Sequence, residues 1–214
     1  AIVPVSNGCC AGCGMSLPTS QLQAVRKAEE IMQCPNCARL LYDWPTAPRR
    51  VGKPPRRAEA RKVGISRFSS PDLMVPRIEA RDVEGVITSL ADNMADAGFV
   101  DRPESLVEAA LRREAIISTA VDHGVAFPHV RGVEGGGLTL TLGTSAKGIR
   151  FEKDKPLTRI VFFLVIPTAA SAFYLKLLAG LTETLTKAAA RKELLNQNDP
   201  ADLWKALVKV TRST

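Results

Sequence analysis

Two groups of side chains in this chain have the types and spacing of a chemical site. The first is its cysteines. All five, Cys9, Cys10, Cys13, Cys34 and Cys37, fall within the first 37 of 214 residues. Four of them read Cys10-x2-Cys13-x20-Cys34-x2-Cys37. Each x2 knuckle presents two thiolates on a tight turn, and two knuckles about 20 residues apart close a tetrahedron around Zn²⁺. Four protein ligands leave no open coordination position, so the expected zinc is structural rather than catalytic. Cys9 in place of Cys10 would make an x3 knuckle, the less usual spacing, so Cys10 is the expected ligand. A secreted disulfide scaffold would spread its bridges over the fold. Thiols crowded into one segment point instead to a metal module in a reducing compartment, and so to the cytoplasm.

The second group is the pair of histidines, His123 and His129, the only two in the chain, both inside VDHGVAFPHV at 121–130. Imidazole titrates near neutrality, with an unperturbed pKa of about 6.5, and serves as ligand, acid, base or nucleophile. Pro128 fixes the backbone angle directly before His129 and helps aim its ring. A zinc site shared by His123 and His129 is not expected, because every thiol lies in another segment.

The elements that must hold these groups fall into three segments. Residues 1–45 contain the cysteines. Residues 46–70 are rich in Pro, Arg and Lys and nearly free of large apolar side chains, which is the composition of an extended tether. The chain's formal net charge is +7, and residues 47–70, with eight basic side chains against Glu59 alone, account for all of it. Such a tether raises nucleic-acid contact through 47–67, although Phe68 is its only large aromatic side chain for base stacking. Residues 71–214 have the length of one domain. The longest apolar run, IVFFLVI at 160–166, falls far short of the roughly 20 residues that span a bilayer, so no membrane insertion is expected. The chain starts at Ala1, without Met, which reads as processing or as a piece with an upstream part missing.

Within 71–214 the pattern alternates. LMVPRIEA at 73–80 reads as a short strand. Val83, Val86, Ile87, Leu90 and Met94 recur at helical spacing. Pro103 opens a second helix running to about Arg113 and burying Leu106, Ala110 and Leu111. GLTLTLGTS at 137–145 alternates like a half-buried strand, and TRIVFFLVIP at 158–167 reads as a buried central strand. A long helix follows with Phe173, Leu177, Leu178, Leu181 and Leu185 on one face. Asp199 caps a last helix that opens with Pro200 and buries Leu203, Leu207 and Val210. Helices interleaved with strands give an α/β fold, a sheet covered by helices on both faces.

Two resemblances follow from these residues. VPVSNGCCAGCGMSLP, the amphipathic helix SQLQAVRKAEEIMQ (20–33) and CPNCARLLY resemble the zinc ribbon of bacterial coiled-coil zinc-ribbon proteins. LVEAALRREAIISTAVDHGVAFPH (106–129), GTSAKGIRF (143–151) and YLKLLAGLTETL (174–185) resemble the type 2 EIIA domain of the bacterial phosphotransferase system, of the fructose, mannitol and nitrogen-regulatory kind. The resemblance implies that His129 accepts a phosphoryl group from the small phosphocarrier protein HPr. It implies that Arg113 binds the phosphoryl oxygens, with Ser118 and Thr119 as supporting donors. One position departs from the family, which usually has a second histidine where this chain has Tyr174. A phenol donates a hydrogen bond but brings no positive charge at neutral pH. His123 does not restore the pattern.

The expected function is a phosphohistidine carrier with a regulatory, nitrogen-type role rather than a sugar-specific one. Its onward partner is a IIB component or a regulated protein. Sugar transport would need a IIB domain with a reactive cysteine, and residues 38–214 have none. The alternative is a zinc-ribbon interaction protein, or a nucleic-acid-associated regulator, whose IIA domain is catalytically inactive.

Overall fold

The computed structural model describes residues 2–6, 8–13, 15–43, 64–133, 137–167 and 173–211. The N-terminal region is a small ribbon. Strands β1 (Ile2–Ser6), β2 (Cys9–Cys10), β3 (Met32–Gln33) and β4 (Leu40–Asp43) form a sheet in the order β2-β1-β4-β3. Helix α1 covers only Thr19–Lys27, whereas the sequence pattern predicts helix to Gln33. Ala28 ends it in the left-handed region (φ 54°), donating its N–H to the Ala24 carbonyl. The cause is local: Glu29 and Glu30 would place two carboxylates at the negative end of a continuing helix. Met32 and Gln33 pair with β4 instead.

The second region begins earlier than its composition suggests. Residues 64–67 form a 3-10 turn in which Ile65 is buried, and Phe68 behind it is buried too. The Phe68 carbonyl accepts from the Leu140 N–H at 2.8 Å. Residues 64–70 of the expected tether therefore belong to the packed structure, because two apolar side chains among the Arg and Lys find a core. Phe68 is not available for base stacking. The rest of the tether, 46–63, lies outside the described residues.

The expected strand at 73–80 shrinks to β5 (Met74–Val75), since Pro76 has no N–H to continue a ladder. Helix α2 (Val83–Asp96) is capped by Asp82, whose carboxylate accepts from the Gly85 N–H at 2.8 Å. Helix α3 runs Pro103–Ile116, beyond the expected Arg113, with Leu106 and Ala110 buried and Leu111 half-buried. Then come β6 (Ala120–Val121), β7 (Val125–Ala126), β8 (His129–Val133), β9 (Thr139–Ile149) and β10 (Thr158–Pro167). Helices α4 (Phe173–Thr186), α5 (Ala188–Leu195) and α6 (Pro200–Val210) close the fold, Asp199 capping α6 by accepting from Ala201 and Asp202. On α4, Leu181 and Leu185 are buried and Leu177 and Leu178 half-buried; the Phe173 side chain lies outside the described residues. Leu203 and Leu207 of α6 are buried, and Val210 is half-buried.

The sheet order is β5-β9-β10-β7-β6, with β8 also on β10. Strand β10 is the centre: antiparallel to β9 and parallel to both β7 and β8. Its Phe162, Phe163, Leu164 and Ile166 are fully buried. Strand β9 is not half-exposed as its alternation predicts. Thr139 to Ser145 are all buried, threonines included, because helices cover both faces. A Cβ on Gly143 would stand 2.9 Å from Leu90 of α2, so α2 lies on that face. Side chains alternate along a strand, so Leu142 and its partner Phe162, and Leu164 with its partner His129, face the other way.

Candidate functional site

In the ribbon, the Sγ atoms of Cys10, Cys13, Cys34 and Cys37 all lie within 4.8 Å of one another. The Cys10–Cys37 distance is 3.8 Å and the Cys13–Cys34 distance 3.6 Å. Zn–S bonds of about 2.3 Å imply a tetrahedral edge of about 3.8 Å, and a disulfide would need about 2.05 Å. The donor set therefore fits a tetrahedral zinc. All four thiols are buried, while Cys9 is half-buried and outside the cluster. Their mutual hydrogen bonds divide them. The bond with Cys13 brings the Cys10 thiol down to about 7, and the bond with Cys10 holds Cys37 far below the ordinary thiol range. The same partner, Cys10, pushes Cys13 and Cys34 above it. Four thiolates this close need a cation to coexist, which a metal ion supplies.

In the second region the fold brings one histidine into a built setting. Val125 and Ala126 pair with Ile160 and Val161, the chain steps past Phe127 and Pro128, and His129 opens β8 opposite Leu164. The step is fixed on both sides: the Phe127 N–H donates to the Thr119 carbonyl at 3.1 Å, and the Pro128 carbonyl accepts from Leu164 at 3.0 Å. Phe127 also stacks on Phe162, centroids 5.4 Å apart. His129 is 8% exposed, and its Nδ1 lies 2.9 Å from the Phe127 carbonyl. A carbonyl only accepts, so Nδ1 carries the proton and Nε2 keeps the lone pair. Burial lowers the His129 pKa below its ordinary value, opposed by the Phe127 bond and aided by the charges of Arg113 and Arg131. The shift favours the neutral form of the ring.

The other expected site residues sit around it. Arg113 closes α3 and donates to the Ile117 carbonyl at 2.8 Å. Ser118 and Thr119 form the loop into β6, and their hydroxyls are engaged. Glu114 accepts from Ser118 Oγ (2.9 Å), Thr119 Oγ1 (2.6 Å) and the Thr119 N–H (2.8 Å). Tyr174, on the first turn of α4, packs against His129 with ring centroids 5.9 Å apart. His123 is not part of this site. It is exposed in a turn with φ 67°, before Gly124, where a Cβ would stand 2.7 Å from the Leu157 carbonyl.

Two residues escaped the sequence reading. Glu114 organises the 118–119 loop; its signal was the Arg113–Glu114 pair itself. Arg131 lies over the Tyr174 ring, its Cζ 5.0 Å from the centroid. Its signal was strand periodicity, since the second residue after His129 shares its face.

The fold is a six-stranded α/β domain that presents one oriented, buried histidine at a strand start, joined to a ribbon whose four clustered cysteines fit a metal ion. Residues 67–210 match the family described as phosphoenolpyruvate-dependent sugar phosphotransferase system, EIIA 2, and residues 9–41 match a C4-type zinc ribbon domain. The chain belongs to the EIIA 2 family and carries a C4-type zinc ribbon ahead of that domain. It is similar to the fructose-specific EIIA component of Haloferax volcanii, 31% identical over 129 residues, which are 59% of this chain and 83% of that protein. It is also similar to the nitrogen regulatory protein of Bradyrhizobium diazoefficiens, 28% identical over 148 residues, which are 67% of this chain and 94% of that protein. Among solved structures, nitrogen regulatory protein IIA-Ntr from Neisseria meningitidis shares the fold (TM-score 0.59, 18% identity, 65% of this chain and 96% of that one). So does the mannitol enzyme IIA of Escherichia coli, in complex with phosphorylated enzyme IIB (TM-score 0.53, 16% identity, 68% and 97%). Among the described residues no helix is long and apolar enough to cross a membrane.

Proposed function

We propose that this protein is a phosphohistidine carrier of the phosphotransferase system that accepts its phosphoryl group on Nε2 of His129. The observation that carries the reading is the bond between His129 Nδ1 and the Phe127 carbonyl at 2.9 Å, which leaves Nε2 as the nucleophile. In transfer, the Nε2 lone pair forms a bond to phosphorus as the donor's P–N bond breaks. The departing nitrogen keeps the electron pair, and the Nδ1 proton stays on the ring, facing the carbonyl. Burial favours the neutral ring, the form whose Nε2 lone pair can attack. Arg113 brings positive charge for the phosphoryl oxygens, and Glu114 holds the Ser118–Thr119 loop in place.

The donor in this reading is an HPr-like phosphocarrier, and the acceptor a IIB component or a regulated protein. Likeness to a IIA domain seen bound to phosphorylated IIB supports a protein partner. A regulatory, nitrogen-type role is favoured over a sugar-specific one by the fused zinc ribbon. The cytoplasm is the compartment where HPr and reduced thiols coincide. The test is phosphoryl transfer from phosphoenolpyruvate through enzyme I and HPr. Acid-labile label on the wild type, absent from His129→Ala, is expected. An unlabelled wild type, or label retained in His129→Ala, overturns the proposal and leaves an interaction module in its place.

A further inference from the structure

We propose that Arg131, seated on the face of Tyr174, is a second cation, beside Arg113, that binds the phosphoryl group of His129. The inference rests on the phosphocarrier reading and deepens it. His129 and Arg131 are two apart on β8 and share one face of the strand. Both meet the same phenol: the His129 ring centroid is 5.9 Å from that of Tyr174, and the Arg131 Cζ is 5.0 Å from it. A guanidinium over a ring is held by the ring's negative face, and this leaves its N–H groups free to bond elsewhere. Arg131 is exposed, and among the described residues it forms no ion pair. Arg113, by contrast, already spends Nη1 on the Ile117 carbonyl.

The chemistry requires such a group. A phosphoryl group brings about two negative charges, and a phenol offers one donor and no charge. A guanidinium fork supplies both charge and paired donors. Tyr174 is 6% exposed and so is a fixed seat for it. Arg131 also acts electrostatically on the free ring, favouring its neutral form together with Arg113.

The test uses the full zinc-loaded chain and potassium phosphoramidate, a small donor that needs no partner protein. His129 Nε2 attacks phosphorus, the P–N bond breaks, and ammonia leaves with the electron pair. Intact mass follows the rate, and ³¹P NMR the lifetime of the phosphohistidine. The wild type takes one phosphoryl group and His129→Ala none. Arg131→Gln slows uptake on the order of tenfold, from loss of a charged hydrogen-bond donor, and shortens the lifetime. Arg131→Lys recovers part of the loss, since it restores the charge without the fork. Tyr174→Ala falls toward Arg131→Gln, because the guanidinium loses the ring that seats it. An NMR titration of the unphosphorylated His129 ring is independent of transfer, and Arg131→Gln raises its pKa. If Arg131→Gln matches the wild type in rate and lifetime, this inference falls and the carrier reading stands. If the wild type accepts nothing from phosphoramidate or phosphorylated HPr, both fall.

Discussion

The ribbon and the EIIA domain solve the same problem with different means. Each is a mixed sheet with a helix packed on it, yet only one has the apolar material to hold itself. In the ribbon, Leu17, Val25, Ala38 and Leu41 are buried beside the four thiols. In the second region β10 alone buries Ile160, Val161, Phe162, Phe163, Leu164, Val165 and Ile166. A region that small buries little surface to offset the entropy of ordering its backbone, so its fold is expected to depend on a metal held by the four thiols. The difference teaches where each region is open to perturbation: the ribbon at its four clustered thiols, the domain at its packed central strand.

The largest effect expected is on the ribbon. Structural zinc in comparable peptides is worth roughly 10–16 kcal/mol, more than such a core can replace. Chelation, or Cys13→Ser, should therefore raise amide exchange over residues 15–43 to the level of an unfolded chain while 137–167 stay protected. A ribbon that keeps its protection without metal would erase the contrast. The mirror experiment is Leu164→Ala. Leu164 is fully buried and pairs with both Leu140 and His129, so its truncation should cost about 2–5 kcal/mol. Denaturant midpoints by tryptophan-independent circular dichroism should drop for the second region, and the zinc-loaded ribbon should keep its exchange protection.

A smaller effect is expected at Glu114. Its carboxylate holds three donors of the Ser118–Thr119 loop, so Glu114→Ala leaves the Thr119 N–H and hydroxyl without their partner. The cost should be about 1–3 kcal/mol. Because the Thr119 carbonyl receives the Phe127 N–H, the loosening should reach the residue that orients His129. Faster exchange at Thr119 and Phe127 would show it; unchanged exchange there would mean the loop is held by packing alone.

What was legible in the sequence divides along physical lines. Signals that are local survived: the two knuckles, the cap at Asp199, the apolar run of β10, and Pro128 before His129. Signals set by neighbours did not. The threonines of β9 look like a solvent face, yet Thr139, Thr141 and Thr144 are buried, because burial is decided by the helices laid over the sheet. The break between α4 and α5 falls at Lys187, an extended residue (ψ 117°) with no Gly or Pro to announce it. At the site, His129, Arg113, Ser118, Thr119 and Tyr174 were named from motifs, but Glu114 as a loop clamp and Arg131 on Tyr174 are relations that only the assembled fold displays.

The last and smallest effect asks whether the two regions are independent at all. Arg39 bridges them: Nη1 donates to the Gly12 carbonyl in the first metal knuckle at 3.4 Å, and Nη2 to the Arg67 carbonyl at 2.9 Å. Arg67 precedes Phe68, whose carbonyl holds Leu140 of β9, and Leu140 lies opposite Leu164 on β10. A knuckle without metal loses the geometry of Gly12, and with it one anchor of Arg39. Each such bond contributes about 0.5–1.5 kcal/mol net. Chelation should therefore lower the melting temperature of the second region slightly in the wild type and not in Arg39→Ala. If chelation leaves that temperature unchanged in the wild type, the bridge transmits nothing, and ribbon and domain fold as separate bodies that share only a chain.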